Sequence, residues 1–492
     1  MSRPRSSSWC RGRDSLRGEC WHVVRDGASP SGTMRIVDET NGTQGEQGSM
    51  QSLEQTLAAV EGIGRELNAV TSVMRGRART LERKSAQRAA VGEPKRLLEG
   101  VPFAVKDVID VAGFPTTMGS NVSSGPDPST SAPVVSLLEK AGALPVVKTN
   151  CQEYSYGILG DESAFGRVIN PIDPTLCTGG SSSGSAALVA AGVVPLALGT
   201  DTAGSVRVPA ACQGVIGFKP TFGIVPVEGV FPLSPSFDTV GLFARDLPLL
   251  TAAFAVISGN GSGSIPTGSS PTKAPTVDLS LLNPTGESSA DVQTWVERHL
   301  GDSAIASITS ENTDHLTELI ERGIDYYDIV RRYEAYVLHK QFLDDQGEKY
   351  QPGVWAKILS GQNITEAEYQ SNVVALEELR ASAESFFDDV DFIITPAMGG
   401  DVIAWDELGP DSAATFMRYS LPFNVLGWPA VTLPIGAVLD GTTSGSDESS
   451  GTVCGEASDT TAATSPRAKP LSVQVVGAPH SDEKLLAFVA GL

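Results

Sequence analysis

Only five histidines and six cysteines occur in 492 residues. His22, His299, His315, His339 and His480 fall in no HExxH pattern and no Cys/His cluster, so no metal site can be read from them. Cys10, Cys20, Cys151, Cys177, Cys212 and Cys454 form no CxxC pair and no paired spacing. In a chain this long, that fits free thiols in a reducing, cytoplasmic setting and excludes a disulfide scaffold. Long apolar runs are missing as well. The longest, Ala186 to Leu198, is broken by Gly192 and Pro195, so no membrane span is expected. Positive charge is scarce: 36 Lys and Arg face 58 Asp and Glu, for a net charge of −22. Nucleic acid and anionic membranes both need a basic face, so neither is expected as the main partner.

What is present divides unevenly along the chain. Met1 to Arg35 is rich in arginine, with only Asp14, Glu19 and Asp26 in opposition. No apolar stretch follows it, so it is not a secretory signal. Residues 1–49 read as a disordered extension, as an Arg/Ser-rich transit segment, or as sequence upstream of a true start at Met34 or Met50. From Gln51 to Ala90, the spacing of Leu53, Leu57, Val60, Ile63, Leu67 and Val70 predicts one amphipathic helix. Strands and helices then alternate. A strand followed by a turn is expected over 101–111, strands at 144–148, 194–199 and 215–219, and helices at 132–143, 185–191 and 205–213. A short helix is expected over 150–156, capped by Asn150. Residues 289–388 read as mostly helical, and strand patterns return at 391–395, 430–435 and 471–476.

Alternation of this kind predicts an α/β fold with helices on both faces of a sheet. Residues 50–492 are read as one domain carrying a Gly/Ser/Pro/Thr loop at 259–276 and a disordered hairpin insertion at 440–469.

Two glycine- and serine-dense turns interrupt the most apolar part of the chain. One is Cys177-Thr-Gly-Gly-Ser-Ser-Ser-Gly-Ser185; the other is Gly199-Thr-Asp-Thr-Ala-Gly-Ser-Val-Arg-Val-Pro209. Upstream, Lys106 closes an apolar strand. Desolvation lowers the pKa of a buried lysine, which makes it a base. A serine is a weak nucleophile until such a base takes its proton. Lys106 is placed to activate Ser205 through a second serine hydroxyl, and no histidine is required. Ser205 starts a helix, where converging N–H groups suit a developing oxyanion. Other readings stand beside this one. Lys106 pairs with Asp107 or Asp110, or Ser205 is simply a helix cap. Gly180-Ser-Ser-Ser-Gly184 also fits a G-x-S-x-G elbow with Ser182 as nucleophile and His339 or His480 as base.

The run from Gly179 to Thr221 resembles the amidase signature family. It holds Gly179-Gly-Ser-Ser-Ser-Gly-Ser-Ala186, Ala197-Leu-Gly-Thr-Asp-Thr-Ala-Gly-Ser-Val-Arg-Val-Pro-Ala210 and Gly214-Val-Ile-Gly-Phe-Lys-Pro-Thr221. Gly100-Val-Pro-Phe-Ala-Val-Lys-Asp107, Lys148-Thr-Asn150, Phe392-Ile-Ile-Thr-Pro396, Gly427-Trp-Pro-Ala430 and Val473-Gln-Val-Val-Gly477 match in the family's order, so the likeness runs from Gln51 to the C-terminus. The resemblance implies a large mixed sheet flanked by helices and an amidase acting on a small-molecule carboxamide. It implies a Ser-cisSer-Lys triad in which Lys106 is the base, Ser181 the relay after a cis peptide, and Ser205 the acylated nucleophile. The amides of Thr202, Ala203, Gly204 and Ser205 are implied as the oxyanion hole. No metal or organic cofactor is implied, and a homodimer is left open. Ala203 departs from the family pattern, where many members have glycine. Thr200-Asp-Thr-Ala-Gly-Ser205 is similar to the allophanate hydrolase version of the motif. The A-type component of the tRNA amidotransferase is a further relative, and a non-catalytic relative of the fold is the third alternative.

Overall fold

The computed structural model describes residues 21–25, 34–38, 51–122, 125–259, 276–279, 281, 287–300, 310–439 and 468–492. Within 1–49 the described residues are two strands, β1 (Trp21–Arg25) and β2 (Met34–Asp38), paired antiparallel as a separate unit. The expected loop at 259–276 and the insertion at 440–469 lie almost wholly outside the described residues.

Residues Ser52–Leu492 form the second unit. Its strands are β3 (Val70–Val73), β4 (Pro102–Lys106), β5 (Leu144–Thr149), β6 (Leu196–Asp201), β7 (Ile216–Lys219), β8 (Thr239–Ala244), β9 (Val277–Asp278), β10 (Phe392–Pro396), β11 (Ala430–Leu439) and β12 (Ala468–Gly477). They make one ten-stranded sheet in the order β3-β5-β4-β6-β8-β7-β11-β12-β10-β9. Around β4 the pairing is parallel, to β5 on one side and β6 on the other; β8, β7, β11 and β12 pair antiparallel.

The helices are α1 (Leu53–Ala59), α2 (Arg75–Ala90), α3 (Pro133–Lys140), α4 (Ser183–Ala190), α5 (Arg207–Cys212), α6 (Leu247–Ile257), α7 (Glu287–Leu300), α8 (Ser310–Gln346), α9 (Pro352–Leu359), α10 (Glu366–Ala383), α11 (Ser412–Met417), α12 (Leu421–Val425) and α13 (Asp482–Ala490). They cover both faces of the sheet, and the strand period of two shows how. Phe103 and Val105 of β4 pack with α3 and α6, whereas Ala104 between them packs with α1 and α4. Ile393 of β10 packs with α8, α10 and α12, and its neighbours Phe392 and Ile394 point the other way.

Three sequence expectations change. The single helix over 51–90 is instead α1, a π turn at Val60–Gly64, the edge strand β3, and α2. Asn68 ends the helix with a positive φ of 53° and donates from Nδ2 to the carbonyls of Phe165 and Arg167, so Val70 enters the sheet. The short helix over 150–156 is a three-residue 3₁₀ turn, Glu153–Ser155, and Asn150 caps nothing. Its Nδ2 donates to the carbonyls of Asn68 and Gly166, and its Oδ1 accepts from Ser163. Strand β8 and helix α6 fall where no element was expected.

Candidate active site

The parallel β4–β6 pair sets the site. Val105 lies opposite Leu198, so Lys106 and Thr200 emerge together at the carboxyl ends of adjacent strands. Sites of α/β sheets form at such ends, because loops diverge there. Lys106 is fully buried. Its Nζ donates to Ser181 Oγ at 2.6 Å and to Thr200 Oγ1 at 2.7 Å. Burial pushes its ammonium down to about 8, as expected for a buried cation with no ion pair among the described residues. Asp107, one partner considered from sequence, instead pairs with Lys148 at 2.7 Å, both side chains fully buried. Asp110, the other, accepts from Thr116.

Ser181 follows a cis peptide bond from Gly180. Its carbonyl accepts the Gln152 amide at 3.0 Å. A side chain at Gly180 would come within 2.7 Å of the Gly160 nitrogen, so the turn admits only glycine there. Ser182 is otherwise engaged: its Oγ donates to the Thr200 carbonyl at 3.2 Å and accepts the Thr200 amide at 3.3 Å. The same residue's amide donates to the Ser205 carbonyl at 3.3 Å, which brings the two turns side by side.

This arrangement speaks against the elbow reading. The Ser182 hydroxyl is committed to backbone. His339 is buried among Tyr154, Phe231 and Tyr350, with Nδ1 against the Tyr350 hydroxyl at 2.9 Å, and burial pushes its imidazole down to about 4. His480 is tied through its own amide to Thr221.

Ser205 sits in the turn between β6 and α5, almost completely buried. Beneath the turn lies the Asp201–Arg207 pair, at 2.9 Å and fully buried. Asp201 Oδ1 accepts the Gly204 amide at 2.8 Å and Oδ2 accepts the Val206 amide at 3.1 Å. Burial pushes the Asp201 carboxyl up, but Arg207, Lys219 and Asn424 together hold it well below the usual carboxylate range. Arg207 also donates to Gln474 at 2.7 Å and to Asn424. The turn is thereby bolted to α12 and β12.

One site expectation is corrected by this geometry. The Gly204 amide is already donated to Asp201, so it does not belong to an oxyanion hole. The amides of Thr202, Ala203 and Ser205 meet no acceptor among the described residues.

Gly204 has another task. Its φ is +119°, and a Cβ there would stand 2.1 Å from Ser420 Oγ, which donates to the Ala203 carbonyl. Gly204→Ala is expected to cost about 1–3 kcal/mol of stability and, by moving the turn, about 10²-fold in turnover. Denaturant melts and steady-state kinetics measure both.

Thr200, Asp201 and Arg207 carry roles that sequence reasoning did not assign, although all three lie inside the second motif. Arg331 places its guanidinium 5.2 Å from the rings of both Tyr156 and Tyr327 and pairs with Asp328 at 2.6 Å. Arg332 pairs with the same Asp328, and Trp355 packs on Tyr350.

Comparison with known proteins agrees with these motifs. A family model described as Amidase matches residues 51–486. The chain is 43% identical over 212 residues to a glutamyl-tRNA(Gln) amidotransferase component, the A-type one, of Anaeromyxobacter sp. (strain K), a match spanning 43% of each chain. It thus aligns with less than half the length of that relative. It is 28% identical over 408 residues to the 2-amino-5-chloromuconic acid deaminase of Comamonas testosteroni, covering 80% of this chain and 81% of that one. A solved amidase structure superposes with a TM-score of 0.73 at 29% identity, covering 89% of this chain and 94% of its own.

Proposed function

This chain belongs to the amidase family, and from that premise we propose that it hydrolyses a non-peptide carboxamide through a seryl acyl-enzyme. Neutral Lys106 takes a proton from Ser181, which takes one from Ser205. Ser205 Oγ attacks the amide carbonyl carbon, and the oxyanion meets the amides of Thr202, Ala203 and Ser205. The proton returns along the same relay to the nitrogen, the C–N bond breaks, and ammonia or an amine leaves. Water then adds to the ester, and the carboxylic acid departs. The observation that supports this reading most directly is the buried Lys106 Nζ, 2.6 Å from Ser181 Oγ and without an ion pair among the described residues. A base needs hydrogen-bond reach and a pKa near working pH, and Lys106 has both.

A fluorophosphonate probe followed by peptide mapping tests the reading. The adduct is expected on Ser205. An adduct on Ser182, or no adduct on well-folded protein, sinks it. A role as the A-type component of an amidotransferase is the second reading, favoured by the 43% identity noted above. It requires a second protein that co-purifies and raises turnover. The buried free thiols Cys151, Cys177 and Cys212 support a reducing, cytoplasmic setting. No described helix is long and apolar enough to cross a membrane.

A further inference from the structure

One carboxyl beside the site has no part in the steps above. Asp238 ends a tight turn over 233–238 and immediately precedes β8. Its Oδ1 pairs with the Thr202 hydroxyl at 2.5 Å, and its Oδ2 accepts the amides of Leu233 at 2.8 Å and Ser234 at 3.0 Å. No cation pairs with it among the described residues.

The other side of this turn is fastened to two long helices. Ser234 and Ser236 donate their hydroxyls to Glu334 of α8 at 2.5 and 2.6 Å. Tyr369 of α10 donates to the same carboxylate at 2.9 Å. Arg380 of α10 donates to the Ser236 carbonyl at 3.0 Å. The 233–238 turn is therefore held on α8 and α10, and one side chain, Asp238, reaches from it to the residue that opens the Thr202-Ala-Gly-Ser205 turn. Phe237 packs against Tyr327 of α8, in the same apolar cluster as Ala203.

We propose that Asp238 is a positioning residue for the oxyanion turn, acting through the Thr202 hydroxyl. The inference rests on the acyl-enzyme reading. Thr202 sits where β6 ends and the chain bends toward Ser205. Asp201 fixes the far end of that bend, through Gly204 and Val206. The near end is held by two side chains: Asn424 donates from Nδ2 to the Asp201 carbonyl at 3.2 Å, and Asp238 pairs with the Thr202 hydroxyl, so the aim of the Thr202 and Ala203 amides depends in part on Asp238. Burial pushes the Asp238 carboxyl up to about 7. The pair survives either way, because a hydroxyl both donates and accepts.

A double-mutant cycle tests this without knowledge of the natural amide. The readout is phosphonylation of Ser205 by a fluorophosphonate, split into probe binding and the limiting rate of bond formation. Asp238→Ala is expected to lower the limiting rate by about 30–100-fold, with binding changed less than about 3-fold. Thr202→Val should do the same. The double variant should be no worse than about 3-fold below the slower single, since both remove one interaction. Asp238→Asn should stay within about 10-fold of the parent: turned so that Oδ1 takes the two amides, its Nδ2 donates to Thr202. Losses that multiply in the double variant, or that fall on binding alone, overturn the inference. If Asp238→Ala fails to fold, Thr202→Val decides, and a parental rate there overturns it equally. A parent that never reacts at Ser205 removes the acyl-enzyme reading itself. A parent that reacts but shows a multiplicative cycle removes only the role given to Asp238.

Discussion

Ser205→Ala is expected to lower amide turnover by about 10⁴–10⁶-fold while leaving the protein folded. The change removes one hydroxyl from a turn whose shape is set elsewhere. Asp201 holds the Gly204 and Val206 amides, and Ser420 holds the Ala203 carbonyl. The melting temperature should therefore move little, and the lost activity reads as lost chemistry. Residual catalysis over water should remain, because the free amides still polarise a bound carbonyl. Ser181→Ala should fall nearly as far, and the Ser181/Ser205 double variant hardly further, since residues that act as one unit lose their effect together. A Ser205→Ala enzyme within about tenfold of the parent on simple aryl or alkyl amides would falsify the proposed mechanism.

Lys106→Met should cost about 10³–10⁵-fold in turnover, and its stability should respond to pH in the opposite sense from a lost salt bridge. Lys106 falls from its ordinary 10.5 to about 8 on burial. A depressed value of this kind contributes stability above 10.5 and loses it as pH falls through 8. At pH 7 the amine is protonated in both folded and unfolded chains, so folding must desolvate an ammonium. Methionine carries no such charge. The variant should gain on the parent by up to about 3 kcal/mol as pH is lowered from about 10 to 7. Denaturant melts at the two pH values measure this. A variant that loses ground on acidification would show that Lys106 is held by an anion instead. In the parent, kcat/KM on an uncharged amide should rise about tenfold per pH unit below 8 and flatten above it. A flat profile through that range contradicts a lysine base.

Much of the site is legible in the sequence. Lys106 closes an apolar strand, and a buried strand-end lysine is unusual enough to be noticed in one dimension. The glycines of both turns announce backbone that tolerates no side chain, as Gly180 and Gly204 now show. The glycines themselves are a local signal that sequence records, although the groups that exclude a side chain, Gly160 and Ser420, come from elsewhere in the chain. Other parts left no local trace. Arg207 takes Asn424 and Gln474 as partners across 217 and 267 residues. Nothing near Asn424 or Gln474 marks either as a support for Ser205. The Asp238 contact to Thr202 spans 36 residues and depends on β8, an element that the sequence reading passed over. Periodicity misled over 51–90, because an apolar spacing of three and four continued into an edge strand.

Sequence by itself determined the kind of protein: an α/β chain of the amidase family, with a lysine strand and two glycine–serine turns in fixed order. The alternation, the lysine strand and the turns are properties of backbone preference and apolar pattern, each written within a few residues, and the family is read from the resemblance of those motifs. Only the tertiary structure decided which hydroxyl each group meets. Three consecutive serines look alike in the chain, yet Ser181 faces Lys106 and Ser182 clamps Thr200. It also decided that Asp107 belongs to Lys148 and that the Gly204 amide belongs to Asp201. The reason is register. Parallel pairing of β4 with β6 brings Lys106 against residues 75 and 94 positions away, and strand alignment at that range is set by the packing of the whole sheet.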